Sequence, residues 1–248
     1  GIGVGVPGPV DFARGVLVAP PLMPEWENFP IRDFFKKTFV SAFVVVDNDV
    51  NIMALGEQRS GDAENVDHFL VVKNCTGIGC GIMASRKIHR GSSGSAGDIG
   101  HICVDTNGPI CRCGNRGCLE AMAAGPAISE KATQAAREGK SELLQKMMHN
   151  NGSVLTPEYV NMACREGDET ALEIIRSSGK MIGDVLAGLV NFFNPSQIYI
   201  TGGISNFGNH LLIAIKRAVL RRSLPLATSG LDIVFSRMSS DVGVLGAI

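Results

Sequence analysis

The chain lacks any apolar run approaching the roughly 18 residues that a membrane-spanning helix needs, so no span through a bilayer is expected. It also lacks an excess of either charge. Its 23 Lys+Arg against 24 Asp+Glu leave a formal net charge of -1. The basic pairs Lys36-Lys37 and Arg221-Arg222 stand far apart in the chain. They read as solvated surface and not as a nucleic-acid stripe. No internal repeat and no low-complexity tract is present. No signal peptide is visible, and the cysteine count is odd at 7, which disfavours a disulfide framework and points to a reducing cytoplasm. An initiator Met is missing too. The chain opens on GIGVGVPGPVD and closes on DVGVLGAI, with neither a polar lead-in nor a helix stop signal. Both ends read as cuts through packed structure, so a fragment is expected.

What is present is most distinctive between residues 100 and 120, GHICVDTNGPICRCGNRGCLE. His101, Cys111, Cys113 and Cys118 form a Cys₃His set, a ligand combination found in closed zinc sites. Gly114 and Gly117 would let the backbone turn tightly enough for the sulfurs to converge. The alternative, unconnected buried cysteines, sits poorly with three cysteines so close together and glycines between them. Four protein ligands leave no open coordination position, so the expected ion is structural. It would hold the loop in place and position whatever lies beside it.

The rest of the chain alternates strand-like and helix-like segments. Gly1 to Val6 reads as a buried strand, ended by Pro7-Gly8-Pro9. A helix is expected to start near Pro30 and to end through Phe34–Phe39. A second buried strand, Ala42 to Val46, would stop at Asp47-Asn48-Asp49, with a helix from Val50 to Glu57; a helix cap is the alternative reading of Asp49. Polar residues between a strand's carboxyl end and a helix are where α/β proteins place ligands. Residues 58–66 are polar enough to be a linker. Phe69 to Val72 reads as a strand leading into a glycine-rich hairpin at 76–82, with a short third strand at 87–89. Leu119 begins a helix that breaks at Gly125-Pro126. Short helices are expected over 140–160. Asp168 would cap a long helix ended by Asn194-Pro195. A strand at 198–201 ends in Gly202-Gly203, and a helix (210–219) and a strand (231–235) complete a mixed sheet flanked by helices.

Several of these segments together resemble the ROK family (repressor, open reading frame, kinase). They are GVGVPGPVD (3–11), VDNDVNIMALGE (46–57), TGIGCGI (76–82), HRGSSGSAGDIGH (89–101) and CRCGNRGCLEA (111–121), with IYITGGI (198–204) as a weaker addition. The resemblance implies an α/β, actin-like (ribonuclease-H-like) two-domain fold shared with hexokinases, here with its N-terminal part missing. Residues 1–66 would be a remnant of the N-terminal domain, completed by 240–248. Residues 67–239 would form the C-terminal domain with the zinc loop. It further implies that Asp49 is the general base of the kinases. Asn48, Asp98, His101 and Glu120 would join Asp49 in binding the sugar, His101 also holding the zinc. Thr76, Gly77, Gly202 and Gly203 would contact a nucleotide. Helix 170–193 packs within the C-terminal domain, and a homodimer or homotetramer is expected.

The chain departs from the kinase pattern twice. Asp98 stands where the kinases have glutamate, and one methylene less withdraws the carboxylate by about 1.5 Å. An error near 1 Å can cost about a hundredfold in rate. The family's phosphate loop, Asp-x-Gly-Gly-Thr, is absent and would precede Gly1. Two functions follow from the resemblance. One is the sugar-binding effector domain of a transcriptional regulator, reaching DNA only through a segment absent from this chain. The details VDNDVNIMALGE, TGIGCGI and GDIGH look closer to such regulators than to the glucokinases. The other is an ATP- and magnesium-dependent hexose kinase using Asp49 as base. A zinc-stabilised scaffold without a ligand is the third reading, and the sugar-binding candidates beside the metal loop argue against it.

Overall fold

The computed structural model describes residues 1–238 and 241–248. In chain order the elements are β1 (Ile2–Val6), β2 (Val10–Asp11), β3 (Val16–Leu17), α1 (Ile31–Lys36), β4 (Val44–Asn48), α2 (Asp49–Ser60), β5 (Phe69–Asn74), β6 (Ile78–Ala84) and β7 (Lys87–Ile88). Then follow α3 (Leu119–Ala123), α4 (Gly125–Arg137), α5 (Glu142–Asn151), α6 (Pro157–Arg165), α7 (Glu169–Phe193), β8 (Gln197–Thr201), α8 (Asn209–Arg222), α9 (Pro225–Thr228), β9 (Asp232–Phe235) and α10 (Val242–Ala247).

The larger sheet runs β7-β6-β5-β8-β9. Strands β5, β8 and β9 are parallel, while β6 returns antiparallel to β5 through the expected glycine-rich hairpin. β5 is buried along nearly its whole length, as a central strand covered on both faces should be. Its main core is shared with α3 to α8. A smaller sheet pairs β1 with β4 in parallel, Val6 opposite Asn48.

Helix α2 joins the two sheets. It packs on β5 and β6 on one side and on β1, β4 and α10 on the other. Two glycines of β6 permit this. A Cβ on Gly79 would come within 2.9 Å of Val50 Cγ2, and one on Gly81 within 2.5 Å of the Val50 carbonyl. Any larger residue there would push the helix away from the sheet.

Several boundaries differ from the sequence reading for local reasons. β1 is half-buried and not buried, with only Val6 fully covered. Its glycine face leaves room for α10, since a Cβ on Gly3 would overlap the Ala247 carbonyl. β4 starts at Val44 and runs on through Asp47 and Asn48 because these pair with Gly5 and Val6. The cap of α2 is Asn48, not Asp49: Asn48 Oδ1 accepts from the Val50 N–H at 2.9 Å. Asp49 is thereby released from capping. Residues 58–66 are not an open linker. α2 continues to Ser60, and Ala63 is fully buried. The expected C-terminal division at 239/240 falls on residues outside those described. The long helix α7 matches its signals at both ends. Asp168 Oδ1 accepts from the Ala171 N–H at 2.8 Å, and Asn194 closes the helix in the left-handed conformation.

One charge in this framework makes a measurable prediction. Glu57 on α2 is fully buried, with Oε1 accepting from the Ser236 hydroxyl. Burial pushes its carboxyl above the usual carboxylate range. The folded state therefore holds a proton at pH values where the unfolded chain has lost it. This contribution is favourable at low pH and fades as pH rises from the unfolded value through the raised folded one. Urea unfolding of wild type and Glu57→Gln between pH 4 and 7 should show wild type losing stability relative to the variant as pH rises. Parallel pH profiles would mean that Glu57 does not hold its proton in the fold.

Candidate functional site

A cavity of 540 Å³ opens where the carboxyl ends of β4 and β5 meet the start of α2, the position where α/β sheets bind ligands. Its wall includes Asn48, Asp49, Thr76, Gly77, Asp98, His101 and Glu120. Seven of the residues expected from sequence are thus brought to one space by four separate segments.

Each is held by the fold around it. Asn48 closes β4; its Nδ2 donates to the Gly8 carbonyl at 2.9 Å while its Oδ1 caps α2. Half of its side-chain hydrogen-bonding capacity is already used. Asp49 follows at the first turn of α2, where the helix dipole favours a carboxylate. Its Oδ2 accepts from Lys73 Nζ at 2.5 Å. Glu120 sits in the first turn of α3 and reaches across the hairpin turn, where its Oε2 accepts from the Ile78 N–H at 3.1 Å. Gly77 makes room for it, because a Cβ there would lie 2.5 Å from that oxygen. Asp98 is 43% exposed, with Oδ1 3.8 Å from His101 Nε2. Partial desolvation raises its carboxyl above the usual range, and the neighbouring His101 opposes the rise.

His101 faces two ways. Its Nδ1 lies 3.6 Å from Cys111 Sγ, on the side away from Asp98. Cys113 and Cys118 bring their sulfurs to 3.7 Å of each other, and the four ligand atoms all lie within 4.8 Å of one another. Metal–sulfur bonds of about 2.3 Å in a tetrahedron require sulfur–sulfur edges of about 3.7 Å, whereas a disulfide needs about 2.05 Å. The donor set fits a tetrahedral ion. Gly114 and Gly117 turn the loop with φ of +89° and +64°, as the sequence reading required. A Cβ on Gly117 would overlap the Asp105 carbonyl. Backbone bonds from Val104 N–H to Gly117 and from Leu119 N–H to Ile102 tie the two arms of the loop together. Cys118 directly precedes α3, the helix that carries Glu120.

A family model described as the ROK family matches residues 1–248. The chain belongs to the ROK family. A glucokinase of Halalkalibacterium halodurans is 35% identical over 99% of this chain and 74% of its own length. A xylose repressor of Caldicellulosiruptor bescii is 32% identical over 100% of this chain and 61% of its own length. Among solved structures, a ROK family glucokinase from Streptomyces griseus in complex with glucose and AMPPNP superimposes with a TM-score of 0.86 at 30% identity, over 99% of this chain and 79% of that one. The ROK sugar kinase-like α/β fold is therefore established. Kinases and repressors both match at similar identity, so the details of the site must choose between them.

Two expected residues stand apart, and two charged residues not expected from the sequence appear. Gly202 and Gly203 do not line the cavity. Gly202 has φ +96°, and a Cβ there would lie 2.2 Å from the Asn74 carbonyl, so packing alone requires it. Lys73 and Arg112 do line the cavity. Neither stands out in the sequence. Lys73 is a single lysine at the end of an apolar strand, and only the alternation along β5, with buried Val72 and Asn74 on either side, would have flagged its different orientation.

Proposed function

We propose that this chain is the sugar-binding effector part of a ROK-family transcriptional regulator. In this reading Asn48, Asp49, Asp98, His101 and Glu120 bind a monosaccharide, and His101, Cys111, Cys113 and Cys118 hold a structural zinc ion. A DNA-binding segment would lie outside this chain, and the whole would work in the cytoplasm as a homodimer or homotetramer. Residues 1–66 would serve as one wall of the cleft and 67–239 as the other.

The observation that carries the regulator over the kinase is the ion pair on Asp49. A general base needs an oxygen aimed at the proton it removes. Here one carboxylate oxygen already accepts from Lys73 at 2.5 Å. Carboxylates and amides grouped around a candidate base with one oxygen held in an ion pair suit binding a polyhydroxylated ligand more than activating it. The shorter Asp98 points the same way.

The second reading, an ATP- and magnesium-dependent hexose kinase, has its own support. The other Asp49 oxygen has no partner among the described residues, and the chain matches 74% of the length of a glucokinase. Thr76 and Gly77 at the cavity, with Gly202 and Gly203 behind the same turn, would then be nucleotide contacts. Calorimetry with glucose and xylose, alongside a coupled ATP assay on the full-length protein, separates the two. Binding without turnover is expected. Turnover that disappears in Asp49→Asn while sugar affinity persists would establish the kinase instead.

A further inference from the structure

We propose that Lys73 is a direct ligand of the sugar, acting with Asp49 as a donor–acceptor pair that reads one hydroxyl group. This rests on the sugar-pocket reading above.

The geometry that brings the pair together is specific. Lys73 is the penultimate residue of β5 and pairs with Gly79 on β6. The missing side chain at Gly79 lets Val50, and with it the start of α2, come down onto the sheet. Asp49 is thereby delivered to the Lys73 ammonium from a segment 24 residues away. Both side chains line the cavity and both are partly covered, Lys73 25% and Asp49 20% exposed.

The pair is not saturated. An ammonium has three N–H donors, and Asp49 Oδ2 takes one of them. Among the described residues the others have no partner. Asp49 Oδ1 is likewise open. Adjacent open donors and an open acceptor are the complement of a hydroxyl, which gives one hydrogen bond and receives another. Its hydrogen would go to Asp49 Oδ1, and its oxygen would accept from Lys73 Nζ. Both contacts are charge-assisted, the stronger kind of hydrogen bond.

The arrangement also explains how a pocket with a carboxylate at the base position can bind a sugar without activating it. An ammonium donating to the hydroxyl oxygen engages one of its two lone pairs and draws electron density from it, which makes it a poorer nucleophile. The same two side chains that recognise the hydroxyl would thus keep it unreactive.

The test pairs protein variants with ligand variants. Glucose, xylose and their monodeoxy analogues are titrated calorimetrically into full-length wild type, Lys73→Met and Lys73→Arg. Lys73→Met should weaken the sugar that wild type binds by about tenfold to a hundredfold, the worth of a hydrogen bond to a charged group. Lys73→Arg should recover part of that loss. One monodeoxy analogue should bind wild type and Lys73→Met equally, because it lacks the hydroxyl that Lys73 reads. Equal affinity of Lys73→Met and wild type for the parent sugar overturns the proposal. So does tighter binding by Lys73→Met, which would make Lys73 a plug on Asp49. A uniform loss across every analogue also overturns it, since that is the signature of a general packing defect. If wild type binds none of these sugars, the pocket reading itself fails and this inference fails with it.

Discussion

Cys113→Ala should remove the metal and the sugar affinity in one step. The cluster needs all four ligands, because a tetrahedral thiolate site with one corner missing loses affinity steeply and admits water. Two consequences follow from the positions of the remaining ligands. His101 loses the ion on its Nδ1, so the ring is free to rotate and Nε2 no longer stays near Asp98. Cys118, which precedes α3 directly, loosens the start of that helix and withdraws Glu120 from the Ile78 N–H. Two of the pocket's polar contacts go together. Atomic absorption should find one zinc per chain in wild type and none in the variant, and sugar affinity should fall by more than about a hundredfold, the loss of two charge-assisted contacts. Cys103→Ala is the control. Its thiol is exposed and outside the ligand set, so zinc and affinity should both be retained. Purified wild type free of zinc, or a Cys113→Ala protein with undiminished affinity, would falsify the link between ion and pocket.

The convergence of His101, Cys111, Cys113 and Cys118 could be read from sequence because its geometry is local. These four residues lie within 18 consecutive positions, and the chain between Cys113 and Cys118 turns at Gly114 and Gly117, both in the left-handed region that favours glycine. The caps of α7 were legible for the same reason, since Asp168 and Asn194 act on their nearest neighbours. The β4–α2 junction was legible in kind but not in detail. Asp47 and Asn48 look like turn residues, and only pairing with β1 makes them strand. That pairing moves the cap from Asp49 to Asn48 and leaves Asp49 for the cavity. What escaped was whatever depends on distant segments meeting. Lys73 gains its meaning from Asp49, and Gly202 from the Asn74 carbonyl. Charge and spacing cannot announce such meetings. The topology of the sheet decides them.

Arg90→Met is expected to lower stability substantially, more than Lys73→Met at the cavity wall. Arg90 donates through Nε at 3.0 Å and Nη2 at 2.6 Å to Asp47 Oδ2, while its guanidinium lies 3.9 Å over the Phe12 ring. Asp47 is 3% exposed, and its Oδ1 accepts from the Asn48 N–H and from Asn51 Nδ2. The carboxylate is therefore fully satisfied only while the arginine is present. Without it, a buried charge keeps two neutral donors and no counter-ion. Breaking a buried pair in this way costs about 3–5 kcal/mol, which for a chain of this size lowers the melting temperature by about 10 °C. The double variant Asp47→Asn/Arg90→Met separates charge from packing. An asparagine still offers an oxygen to the Asn48 N–H but carries no charge, so urea unfolding of the double variant should recover at least half of the loss. A cost below about 1 kcal/mol for Arg90→Met would place Asp47 within reach of water, in the range of an exposed pair. The pair also matters for the pocket, because Asp47 immediately precedes Asn48 and Asp49. If the buried carboxylate draws water or shifts the end of β4, the cap of α2 and the Asp49–Lys73 contact move with it. Sugar affinity should then fall in Arg90→Met and return in the double variant, in proportion to the stability recovered.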